Sequence, residues 1–155
     1  MNRKSINIGI EKVRITRFIV TPEGALMTTP NQRNFGVETK LDFVSKSEKQ
    51  FKCIFSVSLN YLEGEERGIP LATVEMETDF NSSNLTDFTI YKEDGKQYFK
   101  RPFVNVIFDI IFSQMRGAFA ALFIGKALEW FTLPLLNGKR ALGNTTEFLV
   151  KKEGS

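Results

Sequence analysis

The hydrophobic residues change their period partway along the chain, and that change limits the folds open to it more than any other feature. From Phe51 to Tyr61 every odd position is apolar (Phe51, Cys53, Phe55, Val57, Leu59, Tyr61), while Lys52, Ser56, Ser58 and Asn60 fill the even ones, with Ile54 the exception. A period of two is that of a strand with one buried face. Phe35, Val37, Leu41 and Phe43 alternate in the same way with Gly36, Glu38, Lys40 and Asp42, Thr39 being the one polar residue on the apolar side. The polar run Ser45-Lys46-Ser47-Glu48 then closes a hairpin. A third strand is expected from Ile69 to Phe80, after a turn at Glu63-Gly64-Glu65, with Ala72, Val74, Met76 and Phe80 opposite Thr73, Glu75, Glu77 and Asp79. An earlier strand from Glu11 to Val20 ends at Thr21-Pro22-Glu23-Gly24. Short connections between successive strands predict a four-stranded antiparallel meander over about residues 11–80.

After a variable insert, residues 84–101, the period lengthens. The turn at Lys92-Glu93-Asp94-Gly95-Lys96 leaves both a hairpin and an irregular loop open for that insert. Pro102 suits a first helical turn, and Val104, Ile107, Phe108, Ile111, Met115, Ala118, Phe119 and Leu122 follow at helical spacing. Phe103, Ile110, Phe112 and Phe123 fall off that stripe. The helix over residues 102–124 is therefore apolar around much of its circumference, more than one sheet face can cover. A helix sandwiched in the core of a single chain is one reading; the favoured one places Val104, Ile107, Phe108, Ile111 and Met115 at an interface between subunits.

Residues 125–137 remain apolar but contain Pro134, which holds Leu133 extended and makes this stretch a crossover loop. Trp130, Phe131, Leu133, Leu135 and Leu136 either form an exposed adhesive surface or fold back as a lid on the sheet. For residues 138–155 a short helix and a short strand at Glu147-Phe148-Leu149-Val150 both fit.

Composition enters chiefly through what is missing. The 155-residue chain has no His and a single Cys, Cys53. Disulfides within the chain, Cys/His zinc sites and His-based nucleophile triads are excluded by inventory. No glycine-rich phosphate loop is present, because Gly24, Gly36 and Gly64 stand alone. Glu75, Glu77 and Asp79 share one side of a strand whose other side is apolar, which reads as a solvated face. The basic residues Arg3, Lys4, Lys12, Arg14 and Arg17 admit an anionic partner, yet no nucleic-acid-binding signature accompanies them. No apolar core of a signal peptide follows Met1, and Asp109, Arg116, Lys126 and Glu129 interrupt the greasiest segment. The expectation is a single cytoplasmic domain spanning 1–155, without a membrane span, cofactor or metal.

The order of these elements resembles the SecB family of export chaperones. The residues that carry the likeness are Val106 to Leu122, above all Met115-Arg116-Gly117-Ala118, and Leu133-Pro134-Leu135-Leu136-Asn137 followed by Ala141-Leu142. The resemblance implies an α+β fold, a four-stranded antiparallel sheet with one long helix and a crossover loop, assembled as a homotetramer that is a dimer of dimers. It also implies a non-catalytic holdase that binds non-native polypeptide clients in apolar grooves between the crossover loop and the sheet. On that reading Trp130, Phe131, Leu133, Leu135 and Leu136 form the groove with Phe35, Val37 and Phe43. Family members dock a translocation ATPase on an acidic sheet surface, whereas this chain has a formal net charge of +3, which does not favour such docking. Three functions stay open: a holdase serving export, or acting alone or with a toxin-antitoxin pair; a dedicated interaction protein; and a carrier of an apolar small ligand or an enzyme with an unrecognised site.

Overall fold

The alternating stretches become strands whose apolar sides are covered by the helix. The computed structural model describes residues 4–25, 35–61, 68, 70–126, 133 and 138–154. The strands are β1 (Gly9–Val20), β2 (Phe35–Ser45), β3 (Gln50–Tyr61), β4 (Pro70–Asn81), β5 (Thr89–Tyr91), β6 (Gln97–Lys100) and β7 (Glu147–Lys152). The helices are the single turn α1 (Pro22–Ala25), the long α2 (Arg101–Phe123) and the single turn α3 (Gly138–Ala141). Along β3 the odd positions are all buried and the even positions after Gln50 half-exposed, as a one-sided strand requires. The hairpin β2–β3 pairs without a register break from Phe35 opposite Tyr61 to Ser45 opposite Phe51.

The sheet differs from the expected four-stranded meander. It has seven strands in the order β1-β4-β3-β2-β7-β6-β5, and it is mixed, because β7 runs parallel to β2. Of the four expected strands, only β2, β3 and β4 follow one another as hairpins. β1 lies beside β4, which gives these four the Greek-key order. The physical reason is visible in the register: Arg14 stands opposite Glu77 and Arg17 opposite Glu75, so the basic first strand finds its counter-charges on β4. The insert forms a 3₁₀ turn at Leu85–Phe88 and the hairpin β5–β6. Gly95, at φ +77°, takes the left-handed position of that hairpin, and its N–H donates to Lys92 O at 2.9 Å. The C-terminal element contains both alternatives, one helical turn and then a strand inserted between β2 and β6.

The 15 Phe are mostly a core inventory: 11 of them are buried. Phe51 sits at the centre of one cluster, stacked on Phe80 at 5.2 Å and edge-on to Phe99 at 5.1 Å, with Phe103 at 5.5 Å. Phe55, Phe108 and Phe112 make a second, and Phe18, Phe119 and Phe123 a third at the C-terminal end of α2. Val104, Ile107, Phe108, Ile111 and Met115 are each no more than 1% exposed within one chain. The assignment of these five to a subunit interface is thereby corrected, since this chain's own sheet already covers them. The stripe of α2 that faces outward is a different one, with Val106, Asp109, Ser113, Gly117, Ala120 and Ala121 exposed. By length and mean hydropathy, 1.5 over its most apolar window, α2 would pass as a membrane-crossing helix, but its nine buried residues are packed in the domain core.

Candidate functional site

Each predicted site residue falls into one of three groups. Phe43 is 1% exposed, its ring against Phe51 and Phe99, and so belongs to the core. Leu133 is 2% exposed, with its carbonyl accepting a hydrogen bond from Arg116 Nε at 3.2 Å. At that position the crossover segment is turned inward and tethered, so neither residue offers a groove surface. Phe35 and Val37 are half-buried on the helix side of β2. Trp130, Phe131, Leu135 and Leu136 lie outside the described residues.

The half-buried residues of β2 flank an uneven edge. On one side β2 pairs with β3 along its whole length; on the other it pairs with β7 only at Phe43, Val44 and Ser45. The first half of β7, Glu147, Phe148 and Leu149, pairs with Lys100, Phe99 and Tyr98 of β6 and not with β2. Pairing between β2 and β7 stops at Phe43, so the two strands are joined at one end only, like the arms of a fork. Among the described residues no strand pairs with Gly36–Asp42 on that side. Val37, Thr39 and Leu41 look toward the helix layer and are half-buried, while Glu38 and Lys40 are exposed on the outer face. Unpaired edge N–H and C=O groups next to apolar side chains are what a strand-adding peptide uses.

The C-terminal arm of the fork is held by Arg101. Its Nη1 donates to Gly143 O at 2.8 Å and Thr145 O at 2.7 Å, its Nη2 to Gly138 O at 3.2 Å, and its Nε to Asn105 Oδ1 at 2.8 Å. The guanidinium also lies 6.0 Å from the Phe148 ring. A planar fork of donors can collect carbonyls from three places on one segment in a way a single ammonium cannot. Sequence reasoning missed Arg101 as an anchor and Leu41 as a groove residue. Leu41 was within reach, because it shares the alternating side of Phe35 and Val37; Arg101 had no local signal beyond preceding Pro102.

Electrostatics leave no catalytic arrangement in the carboxylate row. Glu77 pairs with Arg14 at 2.8 Å and Lys52 at 3.4 Å, and Asp79 with Lys46 at 3.4 Å and Arg14 at 3.8 Å. Glu75 accepts a hydrogen bond from the Thr16 hydroxyl at 2.9 Å. These are structural ion pairs of the outer face, and Asp79, only 7% exposed, is more enclosed than a solvated face implies. Cys53 is fully buried, and burial first, with the nearby Asp42 charge adding to it, pushes its thiol well above the ordinary range. It behaves as a small core residue, not a nucleophile.

No protein-family model and no curated protein sequence matches the chain. A solved structure does: the SecB-like chaperone Rv1957 of Mycobacterium tuberculosis, determined in complex with a ChAD peptide from the Rv1956 HigA1 antitoxin. The two superpose with a TM-score of 0.58 over 84% of this chain and 91% of that one, at 15% sequence identity. That likeness establishes a SecB-like fold, with three strands, β5 to β7, added to the expected four.

Proposed function

We propose that this protein is a non-catalytic, chaperone-type module that holds extended segments of non-native polypeptides along the β2 edge, in the fork between β2 and β7. The observation that carries this reading is the strand edge Gly36–Asp42 with half-buried Val37 and Leu41 beside it, in a fold shared with a chaperone that binds a peptide. Backbone pairing supplies affinity without sequence preference, and the apolar row supplies burial. Trp130, Phe131, Leu135 and Leu136, outside the described residues, are proposed as further contacts on the strength of their sequence alone. The peptide held by the structural neighbour comes from an antitoxin, which favours a dedicated client over the general export route. On the outer face Arg14, Lys40, Lys46, Lys52 and Lys151 stand beside the carboxylates, which counts against docking a translocation ATPase there.

The protein acts in the cytoplasm as a homo-oligomer. Support for assembly comes from β1, a sheet edge on which Ile10, Val13, Ile15 and Ile19 remain 40–49% exposed, and from the outward stripe of α2. The defining experiment dilutes a chemically denatured model protein into buffer with and without equimolar chaperone and follows light scattering. Suppressed scattering is expected; undiminished scattering at several-fold excess contradicts the holdase reading.

A further inference from the structure

We propose that the outer face of β5, β6 and β7 is a docking surface for an acidic segment of a partner protein, one that carries a large apolar side chain among its carboxylates. This face is not the client edge of β2, and the proposal stands whether or not that edge holds clients. Ile90 stands opposite Tyr98, and Tyr98 opposite Leu149, so the three form one row across neighbouring strands. Phe99 and Val150, next to Tyr98 and Leu149 in the chain, are buried, and Phe99 packs on Phe103 of the long helix. Strand alternation therefore puts the row on the side away from that helix. Leu149 is 46% exposed there, Ile90 and Tyr98 are half-buried, and none of the three belongs to the hydrophobic core. On the outer face of the long strands charged and hydroxyl side chains dominate, among them Arg14 paired with Glu77 and Ser58 bonded to Thr73.

The charges beside the row select the partner. At one end Lys92 Nζ lies 4.3 Å from the centre of the Tyr98 ring and pairs with Glu147. At the other a hollow of about 300 Å³ opens between the β5–β6 turn and the end of β7. Lys96, Lys151 and Lys152 line it together with Leu149, against a single carboxylate residue, Asp94. Glu93, Glu147 and Glu153, the other carboxylates of these segments, lie outside it. Asp94 is engaged by Lys96 at 3.3 Å, so an entering carboxylate meets a positive balance and not a neutral one. Three lysines gathered at one hollow beside an aliphatic side chain suit a carboxylate next to an apolar residue. A phosphate backbone calls instead for cations spread along a track.

The test uses the full chain and capped, labelled peptides with a central phenylalanine flanked by glutamates, by glutamines or by lysines, with affinity read by fluorescence anisotropy. The glutamate peptide should bind most tightly and the lysine peptide least, and raising NaCl from about 50 to about 500 mM should weaken the glutamate peptide several-fold. Leu149→Ser should weaken it about tenfold and Lys96→Glu by a similar factor. Ile19→Ser, a change of the same kind at a 47% exposed position of β1, should leave it within a factor of about two. Should Leu149→Ser lower the melting temperature, the exposed Lys96→Glu decides the matter. Equal binding of the glutamate and lysine peptides overturns the acidic partner. Absence of binding by every peptide, or an equal loss in Ile19→Ser, overturns the surface. A single-stranded oligonucleotide that binds more tightly than the glutamate peptide and is lost in Leu149→Ser gives the face to nucleic acid and overturns the proposal. A sedimentation mass that falls in Leu149→Ser gives it to a second copy of the chain and does the same.

Discussion

Replacing Arg101 by Lys should loosen the C-terminal arm of the sheet without unfolding the rest. The guanidinium reaches Gly138 O, Gly143 O and Thr145 O from two nitrogens and Asn105 Oδ1 from a third. A lysine ammonium is one point with three donors, and it cannot span carbonyls on both sides of the group, so at least two of the four bonds are lost. Hydrogen bonds from a charged donor contribute about 1.5 to 3 kcal/mol each, and because several of these are open to water the lower figure applies. Part of the loss is returned when the freed carbonyls are hydrated, leaving about 2 kcal/mol, which corresponds to about a 30-fold change in a local opening equilibrium. Amide hydrogen exchange followed by mass spectrometry should show Glu147–Lys152 exchanging about 30-fold faster in Arg101→Lys, with the central strands β3 and β4 changed far less. If β7 kept its full protection while β3 and β4 lost theirs, Arg101 would be supporting the global core and not this arm.

Ile111 is fully buried against this chain's own core, so Ile111→Asp places an unpaired carboxylate there at a cost of at least about 3 to 5 kcal/mol, and circular dichroism should show loss of the folded state; a variant that stayed folded and merely dissociated would return Ile111 to a subunit interface. Replacing Trp130 and Phe131 together by Ser should weaken peptide binding by about 1 to 3 kcal/mol at an unchanged melting temperature. A sharp fall in melting temperature with affinity intact would make these two residues core instead. Cys53 should resist a chromogenic disulfide reagent in the native protein and react at once in denaturant, and rapid native labelling would contradict its burial. Because its pKa is raised on folding, the native state holds its proton longer than the unfolded chain, so stability should begin to fall as pH rises past the ordinary thiol value of about 8.5; a flat profile there would argue against the shift.

The four long strands and the helix were legible because each has ten or more residues and one strongly apolar side, so the period survives local exceptions such as Ile54 and Thr39. Their pairing was less so. Short turns favour neighbours, yet the segment after β1 is long enough for that strand to lie beside β4, and only the facing charges of Arg14 and Glu77 hint at it. β5, β6 and β7 have three, four and six residues, too few for alternation to be told from chance. β7 also joins β2 through a parallel contact between segments more than 100 positions apart, Phe43 opposite Val150, which no local pattern encodes. The same limit explains the misplaced interface. Apolar residues around a helix show how much must be covered, but not whether the chain's own strands or a second subunit covers it, and here 11 buried Phe show the sheet and helix doing so together. At the site, Val37 followed from alternation and Leu41, though missed, lies on the same alternating side, whereas the inward turn of Leu133 depends on its contact with Arg116, 17 positions earlier.

The central claim is that a client adds to β2, and amide exchange of the protein with and without a saturating extended peptide of alternating leucine and threonine tests it most directly. Slowed exchange within Gly36–Asp42, with β1 unchanged, is the predicted result. Protection that appeared on β1, or a β2 edge that exchanged equally fast with peptide bound, would contradict it.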